Sequence, residues 1–377
     1  MHATSILNFD YNATAPLLDS VRDNALMMLN QLNGNPSSIH LLGRNARAVM
    51  ESARERMAAV LLVKEKQIIF TSGATEANAT VLKGFKGPIL VSAIEHTSIL
   101  AMRDDITLAP VDENGVVILD FIDKWLAKHP GHALVSIMAA NNETGVIQPT
   151  KDIYNLCKKS GAFFHSDIVQ AIGRIPLDLN NFDCVSISAH KLGGLQGVGC
   201  IIMREEFPFN ALLKGGGQER SYRAGTENIL GIQSFAVALE HSFESSQFNN
   251  WFKIEQLRLI MENELSTYCP NLHIMGKNTI RLPNTTCITM PGLKAETQVI
   301  RFDLESIAVS SGSACSSGKV KKSHVLEAMG TSKDVMDTAI RVSLSQNTTD
   351  QDIKTFINTW KKIYNSVNHA TETINAA

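Results

Sequence analysis

The sequence predicts an α/β protein on a mostly parallel sheet, followed by a smaller α+β unit. Three observations carry this. From about residue 66 to residue 203, short β-branched runs alternate with amphipathic stretches, the rhythm of strands joined by crossover helices. After Gly231 the pattern changes to a long helical reading and then to strand-like segments. A chain of 377 residues, 44% of them hydrophobic, is also long enough for two domains with a cleft between them.

In chain order, the strand runs are QIIF at 67–70, PILV at 88–91, ALVSI at 133–137, AFFH at 162–165, CVSIS at 184–188 and GCIIM at 199–203. One helix is expected from Gln233 to about Ser266, then strands over 285–290 and 307–310. The expected division is a large domain over 13–247 and a small one over 248–377, to which residues 1–12 return. Residues 369–377 are small and polar and are expected to fray.

The formal net charge of −2 leaves no positive excess for phosphate backbones or anionic lipid, so neither nucleic acid nor a membrane is expected as a partner. No apolar run approaches the roughly 20 residues of a membrane span. Residues 1–18, with Asp10 and Asn12, lack the pattern of a signal peptide. A cytoplasmic protein is expected. Cys157, Cys184, Cys200, Cys269, Cys287 and Cys315 are dispersed without C-x-x-C spacing, which suits a reducing compartment and predicts no metal site.

In open parallel sheets, ligands sit beyond the carboxyl ends of the strands, so the residues just after each run are the candidates for chemistry. TSGATE at 71–76 follows a strand and opens a helix; Gly73 admits close approach, and Ala74 and Thr75 stand where backbone N–H groups meet an anion. Taken alone, the motif reads equally as a helix start capped by Ser72 or Thr75. IEHTS at 94–98 places His96 beyond the next strand, either to stack on a planar ring and handle protons or as a structural histidine. NNETG at 141–145 offers the Asn142 amide to a carboxylate or a ring substituent, or forms a turn.

Two further strand ends are more specific. HSDIVQ at 165–170 supplies Asp167 and Gln170, and VSISAHK at 185–191 supplies Ser188, His190 and Lys191. A lysine in a dry pocket can form a Schiff base, and an acid one strand away can keep a pyridine nitrogen protonated, so the pair describes a pyridoxal-phosphate site. GGGQER at 215–220, continuing through SYRAGT to Thr226, reads either as a flexible loop able to reach a phosphate across a subunit interface or as a plain surface loop. SSGSACSSG at 310–318 sets Cys315 among small polar residues, in a loop that can swing towards a substrate. Arg341, inside the apolar run TAIRVSL at 338–344, would be costly unpaired and would be satisfied by a substrate carboxylate.

In this order the motifs resemble the cysteine desulfurases of the class V aminotransferase group, the type that serves nitrogen fixation and iron–sulfur cluster assembly. The likeness runs from DYNAT at 10–14 to about Thr349. It implies the fold type I architecture of pyridoxal-phosphate enzymes, a homodimer, pyridoxal 5′-phosphate as cofactor, L-cysteine as substrate and a sulfur-acceptor protein as partner. It also implies seven strands in the mostly parallel sheet of the large domain.

Residue by residue, the resemblance implies that Lys191 binds the cofactor covalently, Asp167 pairs with the ring nitrogen, Gln170 bonds the phenolic oxygen and His96 stacks on the ring. Ala74, Thr75, Ser188 and His190 would hold the phosphate with Thr226 of the neighbouring subunit. Asn142 and Arg341 would grip the substrate carboxylate, and Cys315 would take the sulfur as a persulfide. Leu195-Gln196 stands where the family usually has Pro-Lys, and the C-terminus is shorter than in the housekeeping enzymes. The alternatives are a selenocysteine lyase or another class V aminotransferase and, from a different class, a non-catalytic scaffold of a sulfur-transfer complex.

Overall fold

The computed structural model describes residues 6–31, 33–312 and 322–375. Its strands are β1 (Leu7–Asn8), β2 (Ile68–Thr71), β3 (Ile89–Ser92), β4 (Ile106–Ala109), β5 (Leu134–Ser136), β6 (Phe163–Asp167), β7 (Cys184–Ser188), β8 (Gly199–Met203), β9 (Thr285–Thr289), β10 (Ile307–Ala308), β11 (Ser310–Ser311) and β12 (Ala339–Ser343). Seven of them form one sheet in the order β2-β8-β7-β6-β5-β3-β4. The pairs from β4 to β7 are parallel, while β8 runs antiparallel to both β7 and β2. This is the mostly parallel seven-stranded sheet expected from the sequence.

Strands β2, β3, β5, β7 and β8 are buried along their whole length because helices cover the sheet, which is why they read as unbroken apolar runs. The edge strand β4 has a largely accessible ITLA sequence and gave no such run. Helices Leu41–Leu61 and Ile229–Ser242 pack together, and Phe235, Ala238 and Leu239 of the latter join the main core.

The single helix expected from Gln233 to about Ser266 is instead two, Ile229–Ser242 and Ser245–Tyr268. Glu244 between them is extended, with φ −59° and ψ 138°. The physical reason is a change of core: Trp251, Ile254, Leu257 and Met261 of the second helix pack with Phe9, Phe302, Phe356 and Trp360 rather than on the main core. The strand expected over 307–310 is also divided, since β10 pairs with β1 while β11 joins the antiparallel sheet β11-β12-β9. Asp10 bridges to Ser343, which ties the N-terminal segment to β12. The last helix, Asp350–Asn375, continues past His369, where fraying was expected. No helix among the described residues is long and apolar enough to cross a membrane.

Candidate active site

A cleft of about 520 Å³ opens at the carboxyl ends of β6 and β7 and gathers ten of the residues singled out by sequence: Ala74, Thr75, His96, Asn142, Asp167, Gln170, Ser188, His190, Lys191 and Arg341. Successive strands of one sheet end at one edge, so the motifs from Ala74 to Lys191 converge there, and β12 of the three-stranded sheet adds Arg341.

One wall is the start of helix Ala74–Gly84. Its N-cap is Gly73, at φ 152°, and no side chain caps it. Ser72 bonds the Glu76 carboxylate through both its N–H and its hydroxyl, so the capping role open to Ser72 in the sequence is not taken up. The first-turn N–H groups, with the partial positive charge of the helix end, therefore face the cleft. Close approach makes this possible: a Cβ on Gly199 would lie 2.7 Å from the Gly73 Cα and 2.5 Å from the Ile187 carbonyl oxygen, so residue 199 must be glycine for the loop to sit against β8.

A buried polar chain runs along the next wall. The Asn78 amide donates to Asp167 Oδ2 at 2.8 Å and to Ser98 Oγ at 3.0 Å. Ser98 Oγ lies 2.8 Å from His96 Nδ1, and the Ser98 N–H donates to the same nitrogen at 3.1 Å. His96 Nδ1 is thus an acceptor and the ring proton sits on Nε2. Burial lowers the His96 pKa; Asp167 opposes the shift, and Lys191 and His324 add to it. The imidazole is neutral at neutral pH. Asp167 Oδ1 accepts from the Val169 N–H at 3.0 Å, so its recorded donors are neutral.

In the same cleft, Lys191 Nζ donates to the carbonyls of Asn12 at 2.6 Å and Ala13 at 2.8 Å. Gln170 Nε2 donates to the same Asn12 carbonyl at 3.1 Å, and its Oε1 accepts from Arg174 at 2.8 Å. His190 bonds the Thr14 hydroxyl at 3.2 Å, and burial together with Lys191 lowers its pKa to about 4. The loop after the lysine, where Leu195-Gln196 departs from the usual pattern, is held by Leu195 N–H to Ser234 Oγ at 3.1 Å and brings Gln196 and Gly197 to the cleft.

Arg341, for which the sequence suggests a substrate carboxylate as partner, already has a carboxylate beside it. Its Nη2 donates to Asp10 Oδ1 at 2.6 Å and Nη1 to the Asn142 carbonyl at 3.1 Å, leaving Nε buried without a partner. Asn142 takes part here through its main chain. The reason is topological: the β12 register places Asp10 beside Ser343, two residues from Arg341. Glu143 next to it is buried, bonds Ser323 Oγ at 2.6 Å and has its pKa raised to about 7, mainly by desolvation.

Of the expected site residues that the structure describes, Thr226 does not line this cleft. Thr226 lines an adjoining cavity with Arg223, Ser72 and Gly197. Cys315 lies outside the described residues. Conversely, Asn78, Asp10 and Arg174 entered through their contacts alone. A buried asparagine at the fifth position of a helix gave a weak signal in the sequence, as did Asp10 at the head of the DYNAT motif, whereas Arg174 gave none.

The residues present fit pyridoxal 5′-phosphate. An uncapped helix N-terminus suits a phosphate, a buried carboxylate with neutral donors suits a ring nitrogen, and a lysine amine faces the same space.

Residues 7–356 match the family model of class-V aminotransferases. The chain is 36% identical to a cysteine desulfurase IscS of Dictyoglomus turgidum, over 94% of this chain and 93% of that protein. It is 39% identical to a cysteine desulfurase of Sinorhizobium fredii, over 91% and 92% respectively. Among solved structures, a NifS-like protein from Rickettsia africae superimposes with a TM-score of 0.87 at 38% identity, covering 96% of this chain and 99% of that one.

Proposed function

The chain belongs to the class-V aminotransferase family, and from that premise we infer that it is a cysteine desulfurase: L-cysteine and an enzyme thiol give L-alanine and an enzyme persulfide. The observation that carries the reading is that Asp167 and Lys191, at the ends of neighbouring strands β6 and β7, line one cleft with Arg341.

Pyridoxal phosphate, when bound, supplies an electron sink for the charge left at Cα as its proton departs. The N–H groups of Ala74 and Thr75, with Ser188 and His190, would hold the phosphate. Asp167 would keep a proton on the ring nitrogen, Gln170 would bond the phenolic oxygen and His96 would stack on the ring. Lys191 would anchor the cofactor, and its amine would carry the Cα proton. Arg341 and Asn142 orient the substrate carboxylate, a contribution that can reach several kcal/mol in well-aligned systems.

The Cys315 thiolate attacks the substrate sulfur. An S–S bond forms, the C–S bond breaks with its electron pair going to carbon, and two protons, one on Cβ and one returned to Cα, complete alanine. Thr226 reaches the phosphate of a second copy in a homodimer, and an acceptor protein collects the persulfide sulfur in the cytoplasm.

The test is incubation of the purified protein with L-cysteine and pyridoxal phosphate, with alanine and protein-bound persulfide measured together. Lys191→Ala loses the visible absorbance of the bound cofactor. Cys315→Ala keeps that absorbance and loses the persulfide; sulfide release at the wild-type rate in this variant contradicts the assignment of the thiol.

A further inference from the structure

Arg174 is 3% exposed, yet no carboxylate pairs with it among the described residues. Its Nη1 donates to Asn12 Oδ1 at 2.7 Å and to Gln170 Oε1 at 2.8 Å, while Nη2 is buried without a partner. The guanidinium lies over the rings of Tyr11, at 5.2 Å, and Trp251, at 6.0 Å. The Trp251 indole donates to the Gly173 carbonyl at 2.7 Å, which pins the turn that carries the arginine.

A buried cation without a counter-ion is destabilising, and an apolar side chain of similar volume would serve packing as well or better. Stability therefore does not account for Arg174, but its position does. Both hydrogen bonds fix the sense of an amide. With Oε1 committed to Arg174, Gln170 presents only its N–H end to the Asn12 carbonyl and the cleft. That carbonyl also accepts from Lys191 Nζ. The arginine thus stands one hydrogen bond behind Gln170 and two behind the lysine.

We propose that Arg174 is a positioning residue of the cofactor site, which orients the Gln170 and Asn12 amides and supplies a positive potential behind the phenolic edge of the ring. The proposal rests on the pyridoxal-phosphate reading above. The charged and titratable groups around the arginine are Tyr11 on the N-terminal segment and Arg341 on β12. Those around the cofactor space are Asp167, His96, His190, Lys191, Arg341 and Glu76, the last paired with Arg223. Burial lowers the Arg174 pKa to about 10, so the group stays cationic at neutral pH.

The experiment is a pH titration of the visible absorbance of the cofactor-loaded protein, with cofactor attachment to Lys191 checked by borohydride reduction and mass spectrometry. A nearby cation favours the deprotonated, more negative form of the bound cofactor, so removing it raises the midpoint. Arg174→Met is expected to raise it by about half to one pH unit, whereas Arg174→Lys, which keeps the charge, stays close to wild type. Arg174→Gln can still donate to Gln170; should the Met variant not fold, it tests the charge separately and must also raise the midpoint. A purely packing role would lower thermal stability and leave the midpoint in place. An unmoved midpoint in a folded neutral variant that still carries the cofactor overturns the proposal while the functional reading stands. Absence of the Lys191 adduct from the wild type overturns both.

Discussion

Asp10 closes the guanidinium of Arg341, accepting from Nη2 at 2.6 Å across 331 residues of sequence. On the proposed reading a substrate brings its carboxylate to the same arginine, and that carboxylate then either shares the guanidinium with Asp10 or displaces Asp10. Asp10→Asn is expected to lower KM for L-cysteine by roughly three- to tenfold, because the competing charge is gone. Arg341→Lys is expected to raise KM roughly tenfold or more, since an ammonium cannot form the two-pronged contact. Steady-state kinetics decide both; a rise in KM for Asp10→Asn would show that the pair orients the arginine rather than competing for it.

Asn78 supplies the side-chain donor to Asp167 Oδ2 and ties that acid to Ser98 and His96. Asn78→Asp would set a second carboxylate against the first, and like charges at that range share a proton. Cofactor affinity of the apo protein, measured by equilibrium dialysis, is expected to fall roughly tenfold or more, with a smaller loss for Asn78→Ala.

Glu95 is fully buried; its Oε1 accepts from Met138 N–H at 2.8 Å and Ser92 Oγ at 2.6 Å, and desolvation raises its pKa to about 8. Against the ordinary value of 4.5, the folded chain binds the proton more tightly than the unfolded one. The group's contribution to stability is therefore whole below about pH 4.5 and is lost as pH rises through about 8. Glu95→Gln keeps the acceptor and removes the titration. Between pH 5 and pH 8.5 its melting temperature is expected to change by a few degrees less than that of wild type. Parallel profiles would mean that the carboxyl is already ionised in the folded chain at pH 5.

Arg54 and Glu219 form a bidentate pair with side chains 2% and 1% exposed, and Glu219 also accepts the Phe70 N–H. The pair anchors three consecutive non-glycine residues in left-handed backbone: Glu219, Arg220 and Ser221, at φ 45°, 55° and 67°. Arg54→Ala leaves a buried carboxylate uncompensated, at a cost of about 3–5 kcal/mol. Urea unfolding is expected to show that loss, with faster proteolysis over residues 215–226; unchanged cleavage there would separate the ion pair from the loop.

The strands were legible wherever both faces are covered. Residues 184–188 and 199–203 are strands over the same bounds that their apolar runs give. Strand β4 was not, because its edge position lets accessible residues interrupt the run. The helix break at Phe243–Glu244 was hidden for a related reason: helical periodicity continues across it, and only the change from one core to another requires the turn.

Asp167, Lys191, His96 and Gln170 were readable as strand-end residues because a parallel sheet delivers successive strand ends to one edge, a rule that local sequence already encodes. Their electrostatic setting was not. Asn78 meets Asp167 across 89 residues, Arg174 meets Asn12 across 162 and Arg341 meets Asp10 across 331. Such pairs leave no periodic trace, since they are fixed by which elements pack against which and by the register of β12. The succession of strand runs along the chain and the chemistry offered at their ends were set by the chain itself; the order of strands in the sheet, which charge is buried and what neutralises it were decided only when distant segments packed together and excluded water.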